Sequence, residues 1–170
     1  MARFSFLALL AAVSASFVAA GPAQDPLQAS VSDRWSWTQC GDPETDPLKV
    51  ISIEISPDPP KPGEDLTVNV VGEAREKIED GAYADVVVKV GAIKILQKEF
   101  DLCEEARNAH ANISCPVEKG EHTVEHTVTL PKEIPPAPFK VHIDGWTVED
   151  EPLVCVDIAI DFRKPRAGLW

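Results

Sequence analysis

One stretch, residues 81–115 (GAYADVVVKVGAIKILQKEFDLCEEARNAHANISC), does most to limit what this chain can fold into. Val86, Val88 and Val90 share one parity, with Asp85, Val87 and Lys89 on the other. β-Branched residues at period two suit a pleated, half-buried strand. After Gly91-Ala92 the apolar parity passes to Ile93 and Ile95, with Lys94 opposite them. A one-step change of parity requires a bulge or a tight bend, and glycine permits either. The expectation is a long, bent, aliphatic strand running into a polar loop flanked by Cys103 and Cys115. Such a strand suits a β-sandwich whose two sheets open around something.

The rest of the chain supplies partners of the same kind. Residues 35–40 (WSWTQC) read as a short first strand, and residues 48–56 place Ile51, Ile53 and Ile55 on one face against Ser52 and Glu54. In DPPKPGE (58–64), Pro62-Gly63 fits the centre of a type II turn. Leu66, Val68 and Val70 alternate with Thr67 and Asn69; further on, Val124, Val128 and Leu130 share a face with His122 and His126. PKEIPPAP (131–138) cannot be a central strand and reads as a stiff connection. Phe139, Val141 and Ile143 restart the alternation up to Gly145-Trp146, and Val154, Val156, Ile158, Ile160 and Phe162 form a last apolar face. A helical turn around residues 104–109 is the main helical signal. About seven strands separated by turn signals define an all-β chain, an immunoglobulin-like antiparallel β-sandwich.

A length of 170 residues fits one domain. Residues 1–20 carry one basic residue, then a Phe/Leu/Ala/Val run ending in Val18-Ala19-Ala20, the pattern of a secretory signal cleaved after Ala20. Residues 21–33 read as a flexible N-terminal segment or pro-segment, 34–163 as the folded domain and 164–170 as a tail. Four cysteines in a chain bound for the secretory pathway, whether secreted or delivered to a vacuolar lumen, imply two disulfides with three possible connectivities. Cys40 and Cys155 lie near the ends of the domain while Cys103 and Cys115 flank one loop, so the natural pairing is Cys40–Cys155 and Cys103–Cys115. Zinc is the competing use, but there is no Cys-x-x-Cys spacing. Asn112-Ile113-Ser114 is a glycosylation sequon, which places that loop at the surface.

The formal charge is −12, and losing residues 1–20 removes Arg3 and no acid. No basic stripe is present to meet phosphates, which argues against nucleic acid as a partner. The same balance argues against permanent attachment to an anionic membrane but leaves room for transient membrane contact. The expected assembly is a monomer.

Little points to catalysis. His122 and His126, four residues apart on one strand, stand roughly 13 Å apart, too far to chelate one metal. His110 and His142 belong to no ligand pattern, and the chain has no Gly-x-Ser-x-Gly elbow, His-Glu-x-x-His motif or phosphate-cradling glycine loop. With the thiols taken by disulfides, no nucleophile remains; neither enzyme activity nor a metal or other cofactor is expected. What is left is an aliphatic interior with only 6% aromatic residues. Alternation alone does not distinguish a filled interior from a hollow one.

Several segments, in order, resemble the fungal phosphatidylglycerol/phosphatidylinositol transfer proteins of the ML lipid-recognition group. They are ISPDPPKPGEDLTV (55–68), GAYADVVVKVGAIKIL (81–96), FDLCEE (100–105), SCPVEKGEHTV (114–124) and LPKEIPPAPFKVHIDGWTVEDEPLVC (130–155). That group also includes the lumenal sterol carrier of the Niemann–Pick type C pathway. The resemblance implies a sandwich whose sheets part to hold a lipid tail, and a carrier rather than an enzyme. It implies the same two disulfides. Animal sterol carriers have a further short-range cysteine pair after the first cysteine, and residues 41–47 contain none, which sets this chain apart from them. The expected function is binding and transfer of phospholipid between membranes. The alternatives are an ergosterol carrier of the vacuolar lumen or a ligand-free sandwich acting as a protein-interaction module.

The need for such a carrier is physical. At about 0.8 kcal/mol per CH₂, an acyl chain of about 16 carbons costs on the order of 13 kcal/mol to expose to water. The residues expected to line the slot are Ile53, Val68, Val88, Val128, Val141, Ile143 and Ile158, with Phe139 and Trp146 at its mouth. Ordinary core packing would use the same residue types. The charge balance adds one expectation, faster transfer near pH 5 than near pH 7, because carboxylates of reference pKa about 4 begin to protonate while histidines of about 6.5 become cationic.

Overall fold

The computed structural model describes residues 34–108 and 113–163. Its eight strands are β1 (Trp35–Gln39), β2 (Leu48–Ser56), β3 (Asp65–Ala74), β4 (Tyr83–Val90), β5 (Ile93–Asp101), β6 (Gly120–Thr129), β7 (Pro138–Trp146) and β8 (Pro152–Asp161). A short helix, α1 (Leu102–Asn108), follows β5. All strand pairs are antiparallel, in a five-stranded sheet ordered β1-β8-β7-β4-β5 and a three-stranded sheet ordered β2-β3-β6. This is the immunoglobulin-like sandwich expected from the alternation.

The count of about seven is corrected to eight, and the long bent strand to a hairpin. Gly91-Ala92 forms a two-residue turn that pairs Val90 with Ile93. Gly91 has φ +59°, and a positive-φ glycine at the first central position suits a primed hairpin turn, whose twist matches the flanking strands. One pair further on, the register slips between Val88 and Lys89, leaving Ile95 as a bulged residue. Turn and bulge together produce the parity change visible in the sequence.

A second bulge corrects the face of β2. The register shifts between Val50 and Ser52, so Ile51 leaves the inward set and Val50 joins Ile53 and Ile55 in packing toward the core. Elsewhere local chemistry behaves as read. Gly63 has φ +79° after Pro62, Pro138 opens β7 rather than interrupting it, and Asp101 Oδ1 accepts the Glu104 N–H at 2.7 Å as the cap of α1.

Two buried clusters mark the core. One joins Trp35, Trp37 and Val156 of the larger sheet to Ile53 of the smaller. The other, Ala74, Ile78, Ala82 and Leu153, closes one end and includes Leu102 from α1. The sheets approach most closely along β2 and β8, and Gln39 stitches them there by accepting the Val50 N–H at 3.1 Å. Both expected disulfides are present, Cys40–Cys155 beside the β1–β8 pair and Cys103–Cys115 tying α1 to the approach to β6. Asn112 of the sequon lies outside the described residues.

Candidate functional site

The inward face of the larger sheet can be read row by row from the pairing. One row runs Trp35, Ile160, Phe139, Val90, Ile93; the next runs Trp37, Ile158, Val141, Val88, Leu96; a third runs Gln39, Val156, Ile143, Val86, Lys98. In the first two rows the β1 member is buried and the β5 member exposed. In the first row Trp35 is 5% exposed and Ile93 70%; in the second Trp37 is 7% and Leu96 44%. The smaller sheet repeats the trend, from Ile53 at 5% on β2 to Val128 at 37% on β6.

Since β2 lies against β8, the strand orders carry β6 over the β4–β5 side of the larger sheet. The sandwich is thus shut along β1, β8 and β2, and its apolar inner faces become half-buried toward β5 and β6. Ile93, Leu96 and Val128 are the accessible inward aliphatics at these edges.

The sequence-selected residues divide accordingly. Val88 and Val141 lie in neighbouring inward positions of one sheet and Val128 on the inward face of the other, away from the closed cluster; Ile143, Ile158 and Val68 are also inward but pack against that cluster. Ile53 sits in the closed core. Phe139 is also buried, packed edge-on against Phe162 at 5.3 Å between ring centres. Trp146 is corrected. It pairs with Tyr83 at the opposite end of β7 from Phe139 and on the outward parity, beside the register shift at Gly145/Trp146. It therefore does not share a mouth with Phe139.

Other inward residues, Val86, Val90, Leu96 and Val124, were absent from the sequence selection although parity with Val88 and Val128 marks three of them. The tryptophans of β1 were missed as well. Trp37 Nε1 is buried without a hydrogen-bond acceptor among the described residues, which leaves a donor inside the sandwich.

Polar groups reach the inward parity at the two open edges. Lys98 of β5 holds its ammonium 4.3 Å from the Phe100 ring centre, and His122 and His126 of β6 stand opposite Gly72 and Val68. On the outward face, His142 lies between Asp157 (Nδ1 to Oδ1, 2.7 Å) and Asp144 (Nε2 to Oδ2, 2.9 Å). The Asp157 hydrogen bond, with help from Asp144, raises its pKa above the ordinary 6.5 against a smaller desolvation effect. The groupings nearest to metal-site spacing each contain both sulfurs of a disulfide, and a disulfide supplies no thiolate ligand.

Fold and interior together define a class, an immunoglobulin-like sandwich with an apolar interior shut on one side and accessible on the other. The family model described as ML domain matches residues 34–162. The chain belongs to the ML domain family. It is 55% identical over 130 residues to a phosphatidylglycerol/phosphatidylinositol transfer protein of Cryptococcus neoformans var. neoformans serotype D, covering 76% of this chain and 72% of that one. To the protein of the same name from Mycosarcoma maydis it is 46% identical over 132 residues, covering 78% and 68%. Among solved structures, a Niemann-Pick type C2 protein from Japanese carpenter ant matches with TM-score 0.57 at 16% identity, covering 74% of this chain and 97% of that one. Chicken MD-1 complexed with lipid IVa matches with TM-score 0.54 at 20% identity, covering 75% and 88%. These two likenesses concern the fold. The two disulfides fit an oxidising, extracellular or lumenal setting.

Proposed function

We propose that this chain is a non-enzymatic carrier that takes up one phospholipid between its sheets and transfers it between membranes. The observation that carries the reading is the rise in exposure along the inward rows, from closed tryptophans on β1 to accessible aliphatics on β5 and β6. Half-buried apolar residues lining a gap lose contact with water when an acyl chain enters, at about 25 cal/mol per Å² removed. Val68, Val88, Val128, Val141, Ile143 and Ile158 form the wall of the slot; Ile53 and Phe139 close its inner side.

The curated relatives are named for phosphatidylglycerol and phosphatidylinositol, both anionic lipids. Lys98, with His122 and His126 on the facing edge, supplies cationic and hydrogen-bonding groups for such a phosphate. Residues 1–20 act as the secretory signal, 34–163 as the carrier domain, and the destination is the secreted or vacuolar space. Asn112 is the glycosylation site.

The test is transfer of fluorescent phosphatidylglycerol and phosphatidylinositol from donor to acceptor vesicles. The protein is expected to accelerate both, and Lys98→Gln to slow them more than it slows a neutral phospholipid. A rate equal to that without protein contradicts the proposal.

A further inference from the structure

The β4–β5 hairpin carries a feature at odds with the rest of the molecule. Its tip exposes three large apolar side chains, Ile93 at 70%, Ile95 at 54% and Leu96 at 44%. Directly beside it, on the outward face, Lys140 of β7 pairs with Lys89 of β4, and Lys89 pairs with Lys94 of β5. Three lysines thus stand in register across three adjacent strands of a chain whose formal charge is −12. Like charges directly opposite one another destabilise a sheet, so the fold alone gives no reason for the row.

Going up the same face, the next row is Asp157, His142, Val87 and Gln97, and the one after is Asp144, Asp85 and Glu99. The sheet is therefore polarised, basic at the hairpin tip and acidic four residues further along. That separation is about 13 Å by strand rise, more than the roughly 8 Å screening length at physiological salt. An anionic surface at the tip meets the lysines first; Asp144, Asp85 and Glu99 lie beyond the screening length, and the nearer Asp157 is paired with His142.

We infer that the β4–β5 hairpin tip is the surface by which this protein docks on an anionic phospholipid bilayer, with Ile93 and Ile95 entering the interface and Lys89, Lys94 and Lys140 meeting the headgroups. Continuity with the slot favours a bilayer over an acidic protein. Ile93 and Leu96 are the outer members of the inward rows that run on through Val90 and Val88. A lipid leaving the bilayer at the tip meets an unbroken apolar track into the sandwich. The local lysine row also explains how so acidic a chain can approach such a membrane at all.

The inference rests on the carrier reading, and the two fail separately. Docking is measured by co-sedimentation of the full-length secreted protein with vesicles of phosphatidylcholine alone or mixed with phosphatidylglycerol. Uptake is measured independently with a monomeric short-chain phosphatidylglycerol. The protein is expected to bind the mixed vesicles and to release them as salt rises. Each lysine near an anionic surface contributes about fivefold to binding, so Lys89→Gln, Lys94→Gln and Lys140→Gln together should weaken it on the order of a hundredfold. Short-chain uptake should be unchanged. Ile93→Ser with Ile95→Ser, substituting exposed positions only, should lose vesicle binding while keeping the melting temperature. Equal vesicle binding by the wild type and the lysine variant overturns the inference even if uptake persists. Absence of wild-type vesicle binding also overturns it and leaves the row to an acidic protein partner. Failure of uptake itself removes the carrier reading beneath it.

Discussion

Gly91 shows how one residue decides the topology around it. No heavy atom lies within 4 Å of where its Cβ would stand, so its φ of +59° is what a side chain there would strain. Gly91→Val should cost about 1–2 kcal/mol in urea unfolding through left-handed backbone strain alone. An unchanged midpoint would mean that the turn relaxes freely. His142 makes a second residue-scale case. Its folded pKa is raised by Asp157 and Asp144, so protonated His142 is favoured in the fold. The stability it contributes is complete below the unfolded value of about 6.5 and disappears as pH rises through the higher folded value. The melting temperature of His142→Asn should therefore fall less than that of the wild type between about pH 6 and about pH 9. Parallel curves would show that the two carboxylates do not hold the imidazolium.

Among the elements, alternation located the strands because one face of each is apolar and the other polar, as in Leu66–Val70 and Val154–Phe162. It did not reveal the order in which they pair. Parity also failed wherever a bulge or turn intervened: alternation puts Ile51 on the face of Ile53, and it reads the Gly91-Ala92 turn as a bulge or bend. A bulge adds one residue to one strand, and the side-chain period of two carries no record of it until the partner strand is known. The slot was legible only in part for a different reason. Val88 and Ile53 are the same kind of residue in the same kind of strand, and only their places in the strand order leave one half-buried and the other in the core.

That difference can be measured at the level of the sheets. Ile53→Ala, in the closed side, should cost about 2–5 kcal/mol. Val141→Phe, in the middle of the inward face, should leave stability near the wild type and abolish lipid uptake, because the ring fills the space meant for an acyl chain. In a filled sandwich the same substitution would overpack the core and cost about 1–3 kcal/mol. The disulfides brace these elements unequally. Cys40–Cys155 closes a separation of 115 residues and Cys103–Cys115 one of 12. On the chain-entropy model, replacing the first pair by serine should cost roughly 4–5 kcal/mol and the second about 3. Equal losses in denaturant unfolding would point to native-state packing rather than loop closure.

For the whole molecule, acidity and carriage have to coexist. A chain of charge −12 is repelled by the membranes between which it would move lipid, and the repulsion weakens as carboxylates gain protons and histidines become cationic. Transfer between anionic vesicles in low salt, where charge effects reach furthest, should be faster near pH 5 than near pH 7. Equal rates would remove charge repulsion from the account. Everything else rests on whether the gap between the sheets holds lipid. Native mass spectrometry of the protein, after mixing with liposomes of several phospholipids and ergosterol, tests that most directly. The expected result is a stoichiometric adduct of one lipid, with the mass of phosphatidylglycerol or phosphatidylinositol. An ergosterol adduct would retain the carrier and overturn the ligand. Bare protein at every pH would contradict the carrier itself and make Val88, Val141 and their neighbours ordinary core.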